Sequence, residues 1–150
     1  MVKDRLDQPY SGRFAGNEHR FAARVYFEDT DLTGVVYHAN YLRFMERARS
    51  DMLRAAGIDQ RNAQESGEGH YAVAALAIRY LRPAKLDDDL LVVSRIGQLK
   101  AASCVIHQRV MRDAEILAQA EVTVAFLQDG RPRRQPRTWV EIFERLEGVS

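Results

Sequence analysis

The chain has 150 residues, of which 46% are apolar and 29% are charged, and 22 basic against 21 acidic residues leave a formal net charge of +1. This length predicts one domain that can bury a core without disulfides or structural metals. The balance of charge argues against a protein that coats nucleic acid, which needs a strongly basic face. No stretch reaches the ~18 apolar residues of a membrane span, so we expect none.

The N-terminus and the single cysteine give expectations about organisation and location. Residues 1–20 contain no apolar core segment, so we expect no secretory signal there. We expect these residues to form a loose, flexible tail, and residues 21–150 to form a single domain. Cys104 is the only cysteine, which excludes an internal disulfide and favours a reducing, cytoplasmic setting. Because Cys104 alternates with apolar residues, we expect it to be a buried structural thiol.

The first half of the chain predicts a short strand followed by a long helix. Val25 and Phe27 alternate with polar residues across residues 22–28, as in a half-buried strand. Residues 40–56 place apolar side chains three or four residues apart, the spacing of an amphipathic helix. These side chains are Tyr41, Phe44, Met45, Ala48, Met52 and Ala55. Their size predicts a buried central helix, and Gly57 stands where helices commonly end.

The second half predicts several antiparallel strands. A polar connection over residues 59–69 comes first, and a short closing helix over residues 139–146 comes last. Between them lie four strand-like runs, at residues 71–81, 90–96, 103–111 and 116–127. Strands segregated from one long helix indicate an α+β fold rather than a doubly wound parallel sheet. We expect a long central helix wrapped by a curved antiparallel sheet of about five strands.

Polar functional side chains are densest between the first strand and the helix, in residues 26–41. They are Glu28, Asp29, Asp31, Thr33, Tyr37, His38 and Asn40. A loop held between two rigid elements is a common place for catalytic groups. Gly34 permits a tight turn, and the helix start supplies free backbone N–H groups that can stabilise an oxyanion. A carboxylate opposite can act as a nucleophile or activate water, so these parts fit acyl transfer.

Two blocks of the sequence resemble the signature of a known enzyme family. The first spans residues 29–41 and reads D-x-D-x-x-G-V-V-Y-H-x-N-Y, and R-F-x-E follows at residues 43–46. The second spans residues 78–88 and reads I-x-Y-L-R-P-A-x-L-D-D. Both are similar to the hot-dog-fold acyl-CoA thioesterases, in the 4-hydroxybenzoyl-CoA thioesterase-like group of the YbgC type, which is associated with Tol-Pal. The likeness covers residues 22–126.

This resemblance implies a fold and a reaction. The fold is the hot-dog fold, assembled as a homodimer with active sites between the subunits and often as a homotetramer. The reaction is hydrolysis of an acyl-CoA or acyl-carrier-protein thioester to free acid and thiol, without a metal or another cofactor. The family's essential carboxylate corresponds to Asp31, as nucleophile or general base. The backbone N–H of His38 is implied to hold the thioester carbonyl, and the His38 side chain to orient water or substrate.

The resemblance also implies residues that contact the substrate. In the first block these are Gly34, Val36, Tyr37, Asn40 and Tyr41. Family relatives hold the CoA phosphates with basic residues that follow the second block, and there this chain matches them well only at Lys100. We expect Arg133 and Arg134, which follow the last predicted strand, to supply further positive charge.

Some alternatives stay open. Asp29 is a rival carboxylate, although a turn-stabilising acceptor is the simpler interpretation of it. Asp29, Asp31, His38 and His107 form a conceivable metal site, but their spacing matches no strong metal motif, so we expect no metal. His107 falls on the opposite strand face from Cys104 and is expected at the surface or a subunit contact. The alternative function is a non-catalytic acyl-CoA or acyl-carrier binding module. A hydratase needs a different Asp–His arrangement, which we do not find.

Overall fold

The computed structural model describes residues 4–147, which form one antiparallel sheet and three α-helices. In chain order the elements are β1 (Arg13–Ala15), β2 (Glu18–Arg24), α1 (Asn40–Ala55), α2 (Gln60–Glu65), β3 (His70–Tyr80), β4 (Asp89–Leu99), β5 (Ser103–Arg112), β6 (Glu115–Gln128), β7 (Arg131–Pro132) and α3 (Arg137–Leu146). The strands lie in the order β1-β2-β4-β5-β6-β3, and β7 pairs with β6. All pairs are antiparallel.

The long helix α1 is the centre of the core. Met45 and Ala48 are fully buried on it, and Phe44 is 3% exposed. The sheet meets this face with alternate residues of its middle strands, such as Val92 of β4 and Val110 of β5, both fully buried. A helix enclosed by a curved antiparallel sheet is the predicted α+β fold, which is therefore confirmed. The sheet exceeds the expected five strands through the short strands β1 and β7.

Strand β3 forms an edge of the sheet. It pairs with β6 on one side, and no other described strand pairs with it. Its 11 residues include exposed apolar side chains at Val73 (51%) and Leu76 (38%). A long apolar edge strand presents unpaired backbone groups that another chain can complete. The fold therefore leaves one extended pairing surface beside α1.

The N-terminal region differs from the loose tail expected for residues 1–20. Residues 13–24 form the β1–β2 hairpin, and β2 pairs with β4. His19 is fully buried, and its Nε2 lies 2.7 Å from Asp51 Oδ2 on α1, which also accepts from the Gly12 N–H at 2.9 Å. The pairing partner lies far along the chain, so local alternation gives no signal for it. Residues 1–3 and 148–150 lie outside the described residues.

Two local predictions are corrected near α1. The strand predicted over residues 22–28 ends at Arg24, and residues 27–29 form a 3-10 turn. The polar connection predicted over residues 59–69 contains α2, whose first turn is capped by Asp59 Oδ1 accepting from the Asn62 N–H at 3.0 Å. Within residues 4–147, none of the helices has the length and apolar character needed to cross a membrane.

Candidate active site

A tight turn presents Asp31 to solvent. The Gly34 N–H donates to the Asp31 carbonyl at 3.0 Å, and the Asp31 N–H donates to the Val35 carbonyl at 2.9 Å. Gly34 has a φ of 84°, a conformation that glycine adopts without a Cβ clash. Thr30 bridges to Val36 beneath the turn. Gly34, predicted as a substrate contact, thus shapes the backbone that carries Asp31.

The Asp31 carboxylate is held by its neighbour Thr33. Asp31 Oδ1 accepts from the Thr33 N–H at 2.8 Å and from Thr33 Oγ1 at 2.5 Å. These two bonds lower the pKa of Asp31 below that of an ordinary aspartate, and the nearby His38 lowers it slightly more. Both bonds use Oδ1, so Oδ2 keeps its lone pairs for other partners. Asp31 is therefore an oriented, ionised and accessible carboxylate at neutral pH.

Asp29 has a different environment two residues earlier. Its Oδ2 accepts from the Tyr26 N–H at 2.8 Å, which closes the 3-10 turn. Its carbonyl accepts from the Tyr37 N–H and from Asn40 Nδ2, both at 2.9 Å. This geometry matches the turn-stabilising interpretation of Asp29. Asn40, predicted as a substrate contact, is 9% exposed and ties the loop to α1.

The start of α1 lies beside this loop. The helix begins at Asn40 after Ala39, which supplies no side-chain cap. Among the hydrogen bonds of residues 4–147, none uses the backbone N–H of His38 or Ala39. The His38 carbonyl accepts from the Tyr80 hydroxyl at 2.9 Å, and the His38 ring packs against Tyr37 with centroids 4.5 Å apart. Free N–H groups at a helix start suit an oxyanion.

A shallow cavity of about 240 Å³ adjoins His38 and the end of β3. Its walls include Val36, Tyr41 and Tyr80. Tyr41 is 3% exposed, its hydroxyl accepts from the Ala84 N–H at 2.9 Å, and burial raises its pKa. Val36 is similarly buried, at 4%. These two predicted substrate contacts therefore form part of the wall of the cavity, whereas Tyr37 does not line it and is 46% exposed.

The predicted CoA-binding residues lie together, but away from Asp31. Gln135 Nε2 donates to the Lys100 carbonyl at 2.7 Å, which fastens the segment after β7 to the β4–β5 turn. Lys100 thus shares one end of the sheet with the exposed Arg133 and Arg134. The Arg133 N–H donates to the Phe126 carbonyl, whereas Tyr80, beside His38, pairs with Ala118. These two positions on β6 are about 26 Å apart at the usual strand rise.

Two other sequence predictions concern residues of β5. Cys104 is 1% exposed, and burial raises the pKa of its thiol to about 12, which confirms the predicted buried thiol. His107 lies on the outer face, opposite Arg95 of β4 and Glu121 of β6. Within residues 4–147, no three His, Cys, Asp or Glu side chains are grouped so that they could hold a metal ion.

The structure contains a second cavity that the sequence did not predict. It has a volume of about 230 Å³, and Arg49 of α1 lies in its wall. Arg49 Nη1 donates to Gln108 Oε1 at 2.9 Å, so the side chain faces the sheet. Its position, four residues after Met45 and three before Met52, is the only signal for this orientation in the sequence.

Solved and curated proteins resemble this chain over most of its length. The Acyl-CoA thioesterase YbgC of Haemophilus influenzae is 44% identical over 115 residues, which cover 77% of this chain and 85% of the relative. A probable thioesterase from Bartonella henselae is 38% identical, has a TM-score of 0.76, and is matched over 79% of this chain and 99% of its own. A thioesterase from Thermus thermophilus, solved with coenzyme A and zinc, is 31% identical, with a TM-score of 0.74 and coverages of 87% and 95%.

A family model gives the same assignment independently of any single relative. The model of the Thioesterase-like superfamily matches residues 25–142, which is more than half of the chain. The match begins directly after β2 and runs into α3, so it includes the Asp31 loop, α1 and the edge strand β3. The chain therefore belongs to the thioesterase-like superfamily.

Proposed function

We propose that this protein hydrolyses acyl-CoA thioesters, with Asp31 as the reacting carboxylate. The observation that carries the proposal is that one loop holds both an ionised Asp31, whose Oδ2 is left open by Thr33, and unused N–H groups where it joins α1. A carboxylate and an oxyanion site are the two parts that thioester hydrolysis needs. The names of the relatives described above support this reaction.

The reaction uses the two parts in sequence. The thioester carbonyl oxygen accepts from the His38 N–H, and charge develops on that oxygen as the carbonyl carbon is attacked. Asp31 Oδ2 either attacks the carbon directly, forming an acyl anhydride that water then hydrolyses, or takes a proton from the attacking water. In both routes the carbon–sulfur bond breaks and the CoA thiolate leaves. The His38 side chain, which lines the cavity and packs against Tyr37, orients the water or the substrate.

A second copy of the chain completes the site. We expect the two β3 edges to pair antiparallel about a two-fold axis, since each edge is long, apolar and unpaired among the described strands. This pairing lays the His70 end of one β3 beside the Tyr80 end of the other. The basic end of one subunit, with Lys100, Arg133 and Arg134, then adjoins the partner's copy of the Asp31 loop. Pairing of such dimers into a tetramer stays a prediction.

The thiol carrier is part of the proposal. Lys100, Arg133 and Arg134 give the basic end a positive charge that suits the phosphates of CoA. An acyl-carrier protein presents a phosphopantetheine arm and remains the alternative donor. A reducing compartment such as the cytoplasm fits these donors and the thiol of Cys104.

Thiol release distinguishes the proposal from a binding module. The purified protein is mixed with acetyl-, hexanoyl-, palmitoyl- and benzoyl-CoA, and free CoA thiol is measured with time. We expect multiple turnovers with at least one thioester and loss of this release in Asp31→Asn. Binding of acyl-CoA with no release from any thioester favours the non-catalytic module. The same panel attached to acyl-carrier protein ranks the two donors by kcat/KM.

A further inference from the structure

A half-buried arginine of α1 is held in a defined orientation. Arg49 Nη1 donates to Gln108 Oε1 at 2.9 Å. Gln108 is 2% exposed, and its Nε2 donates to the Met45 carbonyl and to Ser94 Oγ, both at 2.9 Å. These donor bonds fix the amide so that its oxygen faces Arg49. The guanidinium is therefore positioned by a buried hydrogen-bond network, although it lies on the helix that borders the active site.

The charge of Arg49 has no anionic partner of its own. Among residues 4–147, none of the ion pairs within 4.0 Å includes Arg49. Burial lowers the pKa of Arg49, and the charge of Glu46 opposes this shift. A guanidinium has five N–H donors, and Gln108 accepts from only one nitrogen. A partly buried cation with spare donors favours a polar ligand.

The cavity beside Arg49 has both polar and apolar residues in its walls. Glu46, Arg49 and Ser50 of α1, with Gln60 of α2, form the polar part of its lining. The apolar walls come from Leu53, Tyr71, Ile106, Val124 and Phe143. Its volume of about 230 Å³ accommodates roughly eight non-hydrogen atoms, at about 30 Å³ for each water-sized group. This is the size of a six-carbon acyl group that carries one additional oxygen.

The position of this cavity relates it to the partner's reacting carboxylate. Tyr71 lies at the start of β3, whereas Tyr80, which contacts His38, lies at its end. In the antiparallel β3 pairing of the proposed function, the start of one β3 adjoins the end of the other. The Arg49 cavity of one subunit then opens beside the partner's copy of the Asp31 loop. The inference below rests on that proposed arrangement.

We propose that this cavity holds the acyl group, and that Arg49 and Glu46 select acyl groups with a hydroxyl at their far end. A hydroxyl oxygen accepts from the Arg49 guanidinium while its hydrogen donates to the Glu46 carboxylate. A terminal methyl group leaves the guanidinium donors unpaired. A terminal carboxylate is attracted by the Arg49 guanidinium but repelled by the like charge of Glu46, so these two effects offset each other. The pair therefore specifies a neutral polar group.

Three matched thioesters test this selection on the purified oligomer. They are hexanoyl-CoA, 6-hydroxyhexanoyl-CoA and adipoyl-CoA, and the readout is the ratio of their kcat/KM values. We expect kcat/KM for the hydroxyl substrate to exceed that for hexanoyl-CoA about tenfold, since the hydroxyl adds about one net hydrogen bond to a charged group. Adipoyl-CoA should show no such advantage. In Arg49→Met, the ratio of kcat/KM for 6-hydroxyhexanoyl-CoA to kcat/KM for hexanoyl-CoA should fall to about one.

Arg47→Met is the matched control. Arg47 is an exposed arginine of the same helix that lines a different groove, so its loss should leave the tenfold ratio intact. Glu46→Gln keeps an acceptor, removes the charge and disturbs no buried bond, so adipoyl-CoA should improve relative to hexanoyl-CoA. This variant also tests the proposal if Arg49→Met fails to fold.

The outcomes separate this inference from the proposed function. Equal kcat/KM for hexanoyl- and 6-hydroxyhexanoyl-CoA in the wild type overturns the selection, while release that depends on Asp31 leaves the proposed function standing. The selection is also overturned if Arg49→Met still prefers 6-hydroxyhexanoyl-CoA over hexanoyl-CoA. It is overturned as well if Glu46→Gln leaves the ratio of kcat/KM for adipoyl-CoA and hexanoyl-CoA unchanged. Failure of thiol release from every thioester overturns both.

Discussion

The two ends of the sheet carry different chemistry. At one end, the Asp31 loop and the start of α1 carry an ionised carboxylate and unused backbone N–H groups. At the other, Gln135 holds the segment with Arg133 and Arg134 against the turn that carries Lys100. The first end suits bond breaking, and the second suits recognition of phosphate. Their separation along β6 teaches that one chain does not bring the Asp31 carboxylate and the basic residues together, so a site that uses both requires a second copy of the chain.

Removing the charge of Asp31 gives the largest expected effect. Asp31→Asn should lower kcat by about 10³-fold, because the amide neither attacks a thioester nor accepts a proton from water. The melting temperature should stay near that of the wild type, since the carboxylate is exposed. Thiol release and thermal unfolding measure the two quantities.

Asp29→Asn is the matched control for that variant. The amide oxygen can still accept from the Tyr26 N–H, so the turn should persist and activity should remain within a few-fold of wild type. A large loss of kcat in Asp29→Asn with little loss in Asp31→Asn would show that Asp29, and not Asp31, is the reacting carboxylate.

Reversing charge at the basic end should affect binding more than bond breaking. The triple variant Lys100→Glu, Arg133→Glu and Arg134→Glu should raise KM for acyl-CoA about 10- to 100-fold, with a smaller change in kcat. Added salt should weaken wild-type binding in the same direction, because it screens these exposed charges. Arg61→Glu, on α2, is the control. An unchanged KM in the triple variant would remove this end from the substrate site.

The bonds from Thr33 should set the acid limit of activity. Activity requires the ionised form of Asp31, so kcat/KM should fall as pH drops through a pKa below that of ordinary aspartate. Thr33→Val removes the hydroxyl bond, raises this pKa and should move the acid limb to higher pH. A pH–rate profile of both proteins measures the shift. If the acid limb of the profile lies at the same pH in both proteins, a group other than Asp31 determines it.

The local pattern of apolar and polar residues was sufficient to predict much of the fold and to identify the loop that carries Asp31. The spacing of Tyr41, Phe44 and Met45 predicts α1, because a buried helix face repeats every three or four residues. Alternation similarly predicts β4, β5 and β6. The block over residues 29–41 identifies the loop, although its geometry shows that Asn40 and Tyr41 are held inside the protein, with the Asn40 amide on the Asp29 carbonyl.

Features that depend on distant partners were not predictable from pattern. The β1–β2 hairpin is stabilised by β4 and by the contact of His19 with Asp51, both far along the chain. The orientation of the Arg49 guanidinium depends on Gln108 of β5, which lies 59 residues further along the chain. The separation of Lys100 from Asp31 follows from strand order, which sequence spacing does not encode.

Complementation between two impaired variants tests the proposed shared site most directly. Asp31→Asn and the triple variant of Lys100, Arg133 and Arg134 are co-expressed with different tags, and heterodimers are isolated by successive affinity steps. One of the two sites in each heterodimer then combines a native Asp31 with a native basic end. We predict about half of wild-type thiol release at subsaturating acyl-CoA. Heterodimers no more active than the average of the two parent variants would contradict a site built from two subunits.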